Sequence, residues 1–386
     1  MAKAAGSPQG LSWIFLGALG SLSLGVQVAC DPGSELGETS QAVQDLLQAV
    51  GPVVVQPALA RFETENLLLI SSLESLSAAL SSGSSDAETD AAQAQYVQTM
   101  AAWQELEGLQ IGPAASSLYA VGGQDLRDEI YSYPNVNRCR SDQETVEEVW
   151  DEAAFFEENL ANSYGLDSIE YLLFGPLESA CPSQVGIDAA WQELGPEGIQ
   201  QNRADFAVVL SEGTLTHAQA LSAAWQGDFG QALADGSSPY EDSLQALNAV
   251  FDALFYLETE TKDRKLVEPL ADGEVESPFA ASSALWIHHN ILGFEQLFFM
   301  DESTGFDALL EDQGHGDLSQ KIRELTDLAL EQSADLDPSL MRAIDSQPSA
   351  VEDLLATLSE LSSLLKGDLA TVLSLSVPSE AAGDAD

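Results

Sequence analysis

Gly165-Leu-Asp-Ser-Ile-Glu-Tyr-Leu-Leu-Phe-Gly175 is an apolar segment between two glycines that carries two acids three residues apart. Side chains at that spacing are neighbours on a helix, so Asp167 and Glu170 share a face beside a leucine-rich core. A pair of oxygen ligands placed there is a plausible start for a cation site. The helical period extends outward from this segment. Leu354, Leu358, Leu361, Leu365, Leu369 and Val372 step by three and four along one continuous stripe. The same period predicts helices over roughly 52–82, 87–109, 142–162, 197–226, 241–263, 278–300 and 317–334. Ser141 and Glu144 read as a capping box ahead of the 142–162 helix, while Gly112-Pro113, Gly195-Pro196 and Gly236 through Pro239 punctuate the chain. No stretch alternates as a run of strands would. The fold class expected is all-α, in two antiparallel four-helix-type bundles.

A length of 386 residues favours two domains. Ile169-Glu170-Tyr-Leu-Leu-Phe174 has an echo in Phe294-Glu295-Gln-Leu-Phe-Phe299, which a duplicated bundle explains and which chance between two leucine-rich helices explains equally. With the boundary at Gly195-Pro196, the expected division is an N-terminal bundle over 30–195, a C-terminal bundle over 196–378 and a disordered acidic tail over 379–386.

Residues 1–29 read as a lipoprotein signal peptide: Lys3, an apolar run from Leu11 to Val28, and small residues before Cys30. Cys30 is the expected lipidation site, so the expected membrane contact is a lipid anchor and the expected location is the bacterial cell envelope, facing the periplasm or exterior. Cleavage removes one lysine and no acid from a chain already at a formal charge of −50. Such a surface repels nucleic acid and anionic lipid and gathers cations, or serves simply as a solvated acidic coat. An apolar content of 45% leaves enough to bury and argues against disorder. Cys139 and Cys181 then remain as an even pair in an oxidising compartment, expected to form a disulfide, with two unpaired buried thiols as the alternative.

Residues 113–140 are too long and irregular for a simple connection, and they hold Arg127, Arg138 and Arg140 with Tyr131 and Tyr133 in a chain of few cations. These groups either pair with the acidic surface or contact an anion or partner. His217, His288, His289 and His315 are scattered, and the adjacent pair point about 100° apart on a helix, which suits structural roles better than chelation. There is no His-Glu-x-x-His, nucleophile elbow or phosphate loop.

Gly165, Asp167 and Glu170 with the Glu-Tyr-Leu-Leu-Phe-Gly tail resemble the Gly-x-His-x-x-Glu signature of the imelysin-like family, with aspartate where that family has histidine. Ala101-Ala-Trp103-Gln-Glu-Leu-Glu107 with Ile111-Gly-Pro113 resembles the family's second helix and its exit. Asp263 through Leu270 is similar to its Lys-Leu-x-x-Pro-Leu turn, and Ser283 through Phe298, with Asn290 and Gly293, to its later helix. The likeness spans roughly 45–375. It implies two bundles related by duplication, an envelope location, a motif where the bundles meet, and kinship with proteins catalogued as metallopeptidases or tied to iron uptake. It makes Asp167 and Glu170 the candidate metal ligands and iron-uptake proteins the candidate partners. Aspartate for histidine trades a borderline nitrogen ligand for a hard oxygen one, favouring iron, calcium or magnesium. The function expected is non-catalytic binding of a metal ion or iron-associated ligand. The alternatives are a metal-dependent peptidase and an acidic scaffold with a decayed site.

Overall fold

The computed structural model describes residues 40–382, apart from positions 84, 151, 153, 272, 302, 303 and 380. Cys30, the signal segment and the end of the acidic tail lie outside the described residues. Helices α1 (Gln41–Ala49), α2 (Gln56–Ser82), α3 (Asp86–Glu107), α4 (Leu126–Ile130), α5 (Arg138–Glu147), α6 (Phe155–Glu158), α7 (Leu166–Phe174) and α8 (Asp188–Gln226) come first. They are followed by α9 (Asp228–Asp235), α10 (Ser243–Leu254), α11 (Glu268–Leu270), α12 (Ser283–Phe299), α13 (Phe306–Asp312), α14 (Gly316–Ala334), α15 (Leu340–Ser346), α16 (Pro348–Leu364) and α17 (Ala370–Val372). Wider π-helical turns occupy Val50–Val55, Leu257–Val267 and Leu365–Leu369. No strand occurs among the described residues, so the all-α expectation holds. Nor is any described helix long and apolar enough to cross a membrane.

The helices form where the period says they should. In α2, Pro57 sits in the first turn, Leu59, Phe62, Asn66, Leu69, Leu73 and Leu76 make a buried stripe with steps of three and four, and Gly83 ends the helix with φ 83°. That stripe lies against α3 and α8, and Asn66, its one polar member, exchanges hydrogen bonds with Ser211 of α8. In the C-terminal stripe, Leu354, Leu358, Leu361, Leu365 and Leu369 are all fully buried; a leucine so placed contributes about 1.5–3 kcal/mol. α16 packs on α14 and on the π turn Leu257–Val267, and α12 bridges α14 to α3. Gly293 lets α12 approach α3, because a Cβ there would stand 2.3 Å from the carbonyl oxygen of Glu105.

The expected helix over 142–162 is not continuous. α5 ends where Glu148 turns to φ 54°, and only the single turn of α6 and a 3₁₀ turn at Ala161–Ser163 follow. Nor does Ser141 cap it: the cap is Asn137, which accepts from the Arg140 amide, and Ser141 is buried inside the helix. Arg140 and Glu144 pair along α5 instead. α8 starts earlier than expected and carries a break at Gly195, φ 65°. Cys139 and Cys181 are joined by a disulfide, Cα–Cα 4.5 Å, tying the start of α5 to the segment after α7.

Candidate functional site

α7 owes its position to Gly165, which holds φ 89° and passes so close to Ile130 that a Cβ would lie 2.7 Å from the Ile130 carbonyl oxygen. A side chain there would force apart α7 and the end of α4. The helix that follows buries both acids of the motif, leaving Asp167 7% and Glu170 4% exposed. Asp167 accepts from the Ser168 amide through Oδ1, 2.9 Å, and from Ser132 Oγ through Oδ2, 2.6 Å. Glu170 Oε1 accepts from Ser277 Oγ and from the amides of Phe279 and Ala280, at 2.9–3.0 Å. Each acid thus fastens α7 to a different irregular segment, Asp167 to the one after α4 and Glu170 to the one before α12.

The residues beside those serines enter a second layer of buried charge. Glu276 Oε1 accepts from Tyr131 Oη at 2.9 Å and from Gln104 Nε2 at 2.9 Å, and pairs with Lys265 Nζ at 2.8 Å. Lys265, fully buried, also reaches Glu107 Oε2 at 2.8 Å, Gln104 Oε1 at 2.8 Å and Asn290 Oδ1 at 3.0 Å. Arg127 Nη2 takes the other oxygen of Glu107 at 2.5 Å. Lysine is tolerated in a core only when its donors are spent in this way.

The acids respond to burial unequally. It pushes Asp167 up to about 6 against its bonds from Ser132 and Ser168. It pushes Glu170 up to about 7, with the charge of Glu276 adding to the effect. Burial raises Glu276 as well. Burial also works to raise Glu107, but Lys265 and Arg127 outweigh it and hold that carboxyl below its ordinary value.

On its open side this network reaches a cavity of about 530 Å³ lined by Arg127, Tyr133, Asp252, Tyr256, Glu260 and Arg264 among others. Three consecutive residues make the connection. Tyr131 bonds to Glu276, Ser132 bonds to Asp167, and Tyr133 lines the cavity while its carbonyl oxygen accepts from Arg127 Nη1 at 3.1 Å. Glu260 and Arg264, paired at 2.8 Å, come from the π turn that also carries Lys265. Such turns are frequent at functional sites because they re-aim side chains.

The sequence-predicted residues divide accordingly. Gly165, Asp167 and Glu170 come together with Arg127, Tyr131 and Tyr133 of the long irregular segment. Arg138 instead lies over the Phe279 ring at 4.9 Å, and Arg140 pairs with Glu144. The histidine pair diverges: His289 Nδ1 meets Glu105 of α3 at 2.8 Å, and His288 Nδ1 meets Ser333 of α14 at 2.9 Å. Among the described residues no three His, Cys, Asp or Glu side chains are grouped to hold a metal ion. Asp167 and the Oε1 of Glu170 are already engaged by protein donors, so the residues present do not fit an ion's coordination shell. Sequence reasoning passed over Ser132, Ser277 and Glu276, all in segments without helical period. The one available signal was the scarcity of cations, 13 Lys and Arg in 386 residues, which makes each of them informative.

The family model described as imelysin matches residues 55–366. The fold is similar to the crystal structure of an imelysin-like protein from Psychrobacter arcticum 273-4, with a TM-score of 0.69 at 18% identity, covering 88% of this chain and 98% of that one. It is also similar to a putative iron-regulated protein A precursor from Parabacteroides distasonis ATCC 8503, with a TM-score of 0.66 at 15% identity, covering 89% of this chain and 96% of that one. Among curated proteins none matches.

Proposed function

The chain belongs to the imelysin family, and on that premise we propose that it is a non-catalytic binding protein of the bacterial envelope, tethered by lipid at Cys30, with its ligand seated in the cavity beside the motif. In this reading Asp167 and Glu170 build the binding wall and do not touch the ligand. The observation that carries it is the run Tyr131-Ser132-Tyr133, which bonds in turn to the buried network, to the motif and to the cavity's own arginine. A wall fixed at three successive residues is pre-organised, which spares a ligand the cost of ordering it.

Peptide hydrolysis is the less favoured reading, because it asks for several protein ligands, an open water position and a base, and the four histidines and the motif acids are dispersed or engaged. The neighbour described as iron-regulated makes iron chelates the natural first compounds to try. A thermal-shift screen of iron chelates and small polar metabolites is expected to give compounds that raise the Tm of the wild type but not of Tyr133→Ala. Chelator-sensitive cleavage of an unbiased peptide library would instead identify a peptidase and end this reading.

A further inference from the structure

The chain turns back on itself after its last helix. Ser374 holds φ 52°, a left-handed conformation, and the Leu375 amide donates to the Ala370 carbonyl at 2.9 Å, which closes α17 and redirects the backbone. Leu373 and Leu375 are buried on either side of that reversal. The Ser376 amide then donates to Asn248 Oδ1 of α10 at 2.9 Å. From there Pro378, Ser379 and Ala381 supply part of the wall of the cavity of about 530 Å³.

This part of the wall is covered but weakly held. Ala381 is only 1% exposed. Its amide and that of Ala382 donate to the Pro378 carbonyl at 3.1 and 3.0 Å, a turn that bonds to itself. Among the described residues, the bond from Ser376 to Asn248 is the one hydrogen bond that joins residues 376–379, 381 and 382 to the rest of the chain. The apolar residues after Leu375 are Val377, Pro378 and three alanines. So small a set buries little surface, and a segment held by so few contacts opens locally while the helices stay folded. The run Tyr131-Ser132-Tyr133 in the same cavity is instead pinned at three successive residues.

From the buried Ala381, the single tether to Asn248 and the place of the tail in the cavity wall, we propose that the tail from Ser376 onward is a displaceable strap, which closes the cavity and is released to admit ligand. Seated, the strap reduces apparent affinity in proportion to the fraction of chains that are closed. The inference rests on the binding-protein reading above for what enters the cavity, but its test needs no ligand.

Thiol labelling of the folded chain tests it, in a Cys30→Ser background where the Cys139–Cys181 disulfide leaves each introduced cysteine as the only free thiol. Ala381→Cys is expected to react with a maleimide roughly tenfold or more slowly than Ala382→Cys, its exposed neighbour, and roughly tenfold or more faster than Ala329→Cys, fully buried on α14. Asn248→Ala is expected to speed labelling at residue 381 by about threefold to tenfold, the loss of one hydrogen bond, with Tm unchanged. Ala115→Cys reads access to the cavity, which Ala115 lines while remaining buried. Its labelling is expected to rise by the same factor on Asn248→Ala, the signature of one shared opening. Labelling of Ala381→Cys as slow as that of Ala329→Cys would make the tail a fixed wall, and labelling as fast as that of Ala382→Cys would mean that it is never seated. An Ala115→Cys rate indifferent to Asn248→Ala would mean that the tail bars nothing. Each of these results overturns the inference. The thermal-shift screen decides the binding-protein reading separately, so the two fail independently.

Discussion

Asp167 and Glu170 on α7 and Asp252 on α10 are all pushed up by desolvation, to about 6, 7 and 6. Their chemistry nevertheless differs. The motif acids are buried and accept from five protein donors between them, whereas the Asp252 side chain is exposed and accepts from none. A raised pKa therefore does not by itself mark a site; burial and bonds from protein donors separate an acid that holds the fold from one that meets water. That distinction moves the functional reading from the motif to the cavity wall the motif supports.

The strongest challenge to the comparison is removal of the charge at the centre of the engaged group. Lys265→Met leaves Glu107 and Glu276 buried without their shared cation, and is expected to cost about 3–5 kcal/mol in urea unfolding. Adding Glu276→Gln should recover part of that loss. A loss below about 1 kcal/mol in the single variant would mean that the network is hydrated and does not anchor the segments around α7.

Next in size is a pH effect. The folded values of Asp167 and Glu170 lie above their ordinary 3.8 and 4.5. The stability they contribute is fully present below the ordinary values and is lost as pH rises through about 6 and 7. Glu170→Gln should flatten the stability profile between roughly pH 4.5 and 7 by about 3 kcal/mol, measured as urea midpoints across pH. A profile that keeps the wild-type slope would contradict the burial on which the comparison rests.

Ser132→Ala removes one of the two protein bonds to Asp167 and should cost about 1–3 kcal/mol. Asp252→Asn should change stability by less than about 0.5 kcal/mol, because the Asp252 side chain is exposed, bonds to nothing in the protein, and its charge is screened by water. Equal losses in the two variants would erase the distinction.

How much of this was legible depended on whether a residue sat in a periodic segment. The stripe from Leu354 to Leu369 and the buried face of α2 were readable because each leucine repeats the one before it. Gly165 and Gly293 stood out in motifs, and the structure gives them close backbone approaches that no other residue permits. The 142–162 helix was misread because Val146, Val149 and Trp150 keep a helical period across Glu148, where the chain turns left-handed. The resemblance singled out Lys265, Glu107 and Asn290 without saying that they meet, since three elements distant in sequence bring them together. The proposed echo pairs Glu170 with Glu295, yet Glu295 is half-buried beside Asp327 and Arg323 and makes none of the bonds of Glu170.

Hydrogen–deuterium exchange over residues 126–137 tests the central claim most directly, comparing wild type, Asp167→Ala and wild type treated with EDTA. If protein bonds to Asp167 hold the cavity wall, the substitution raises exchange at residues 131–135 and EDTA leaves it unchanged. Release by EDTA, or no release in the variant, would show that something other than the Ser132–Asp167 bond fixes that wall.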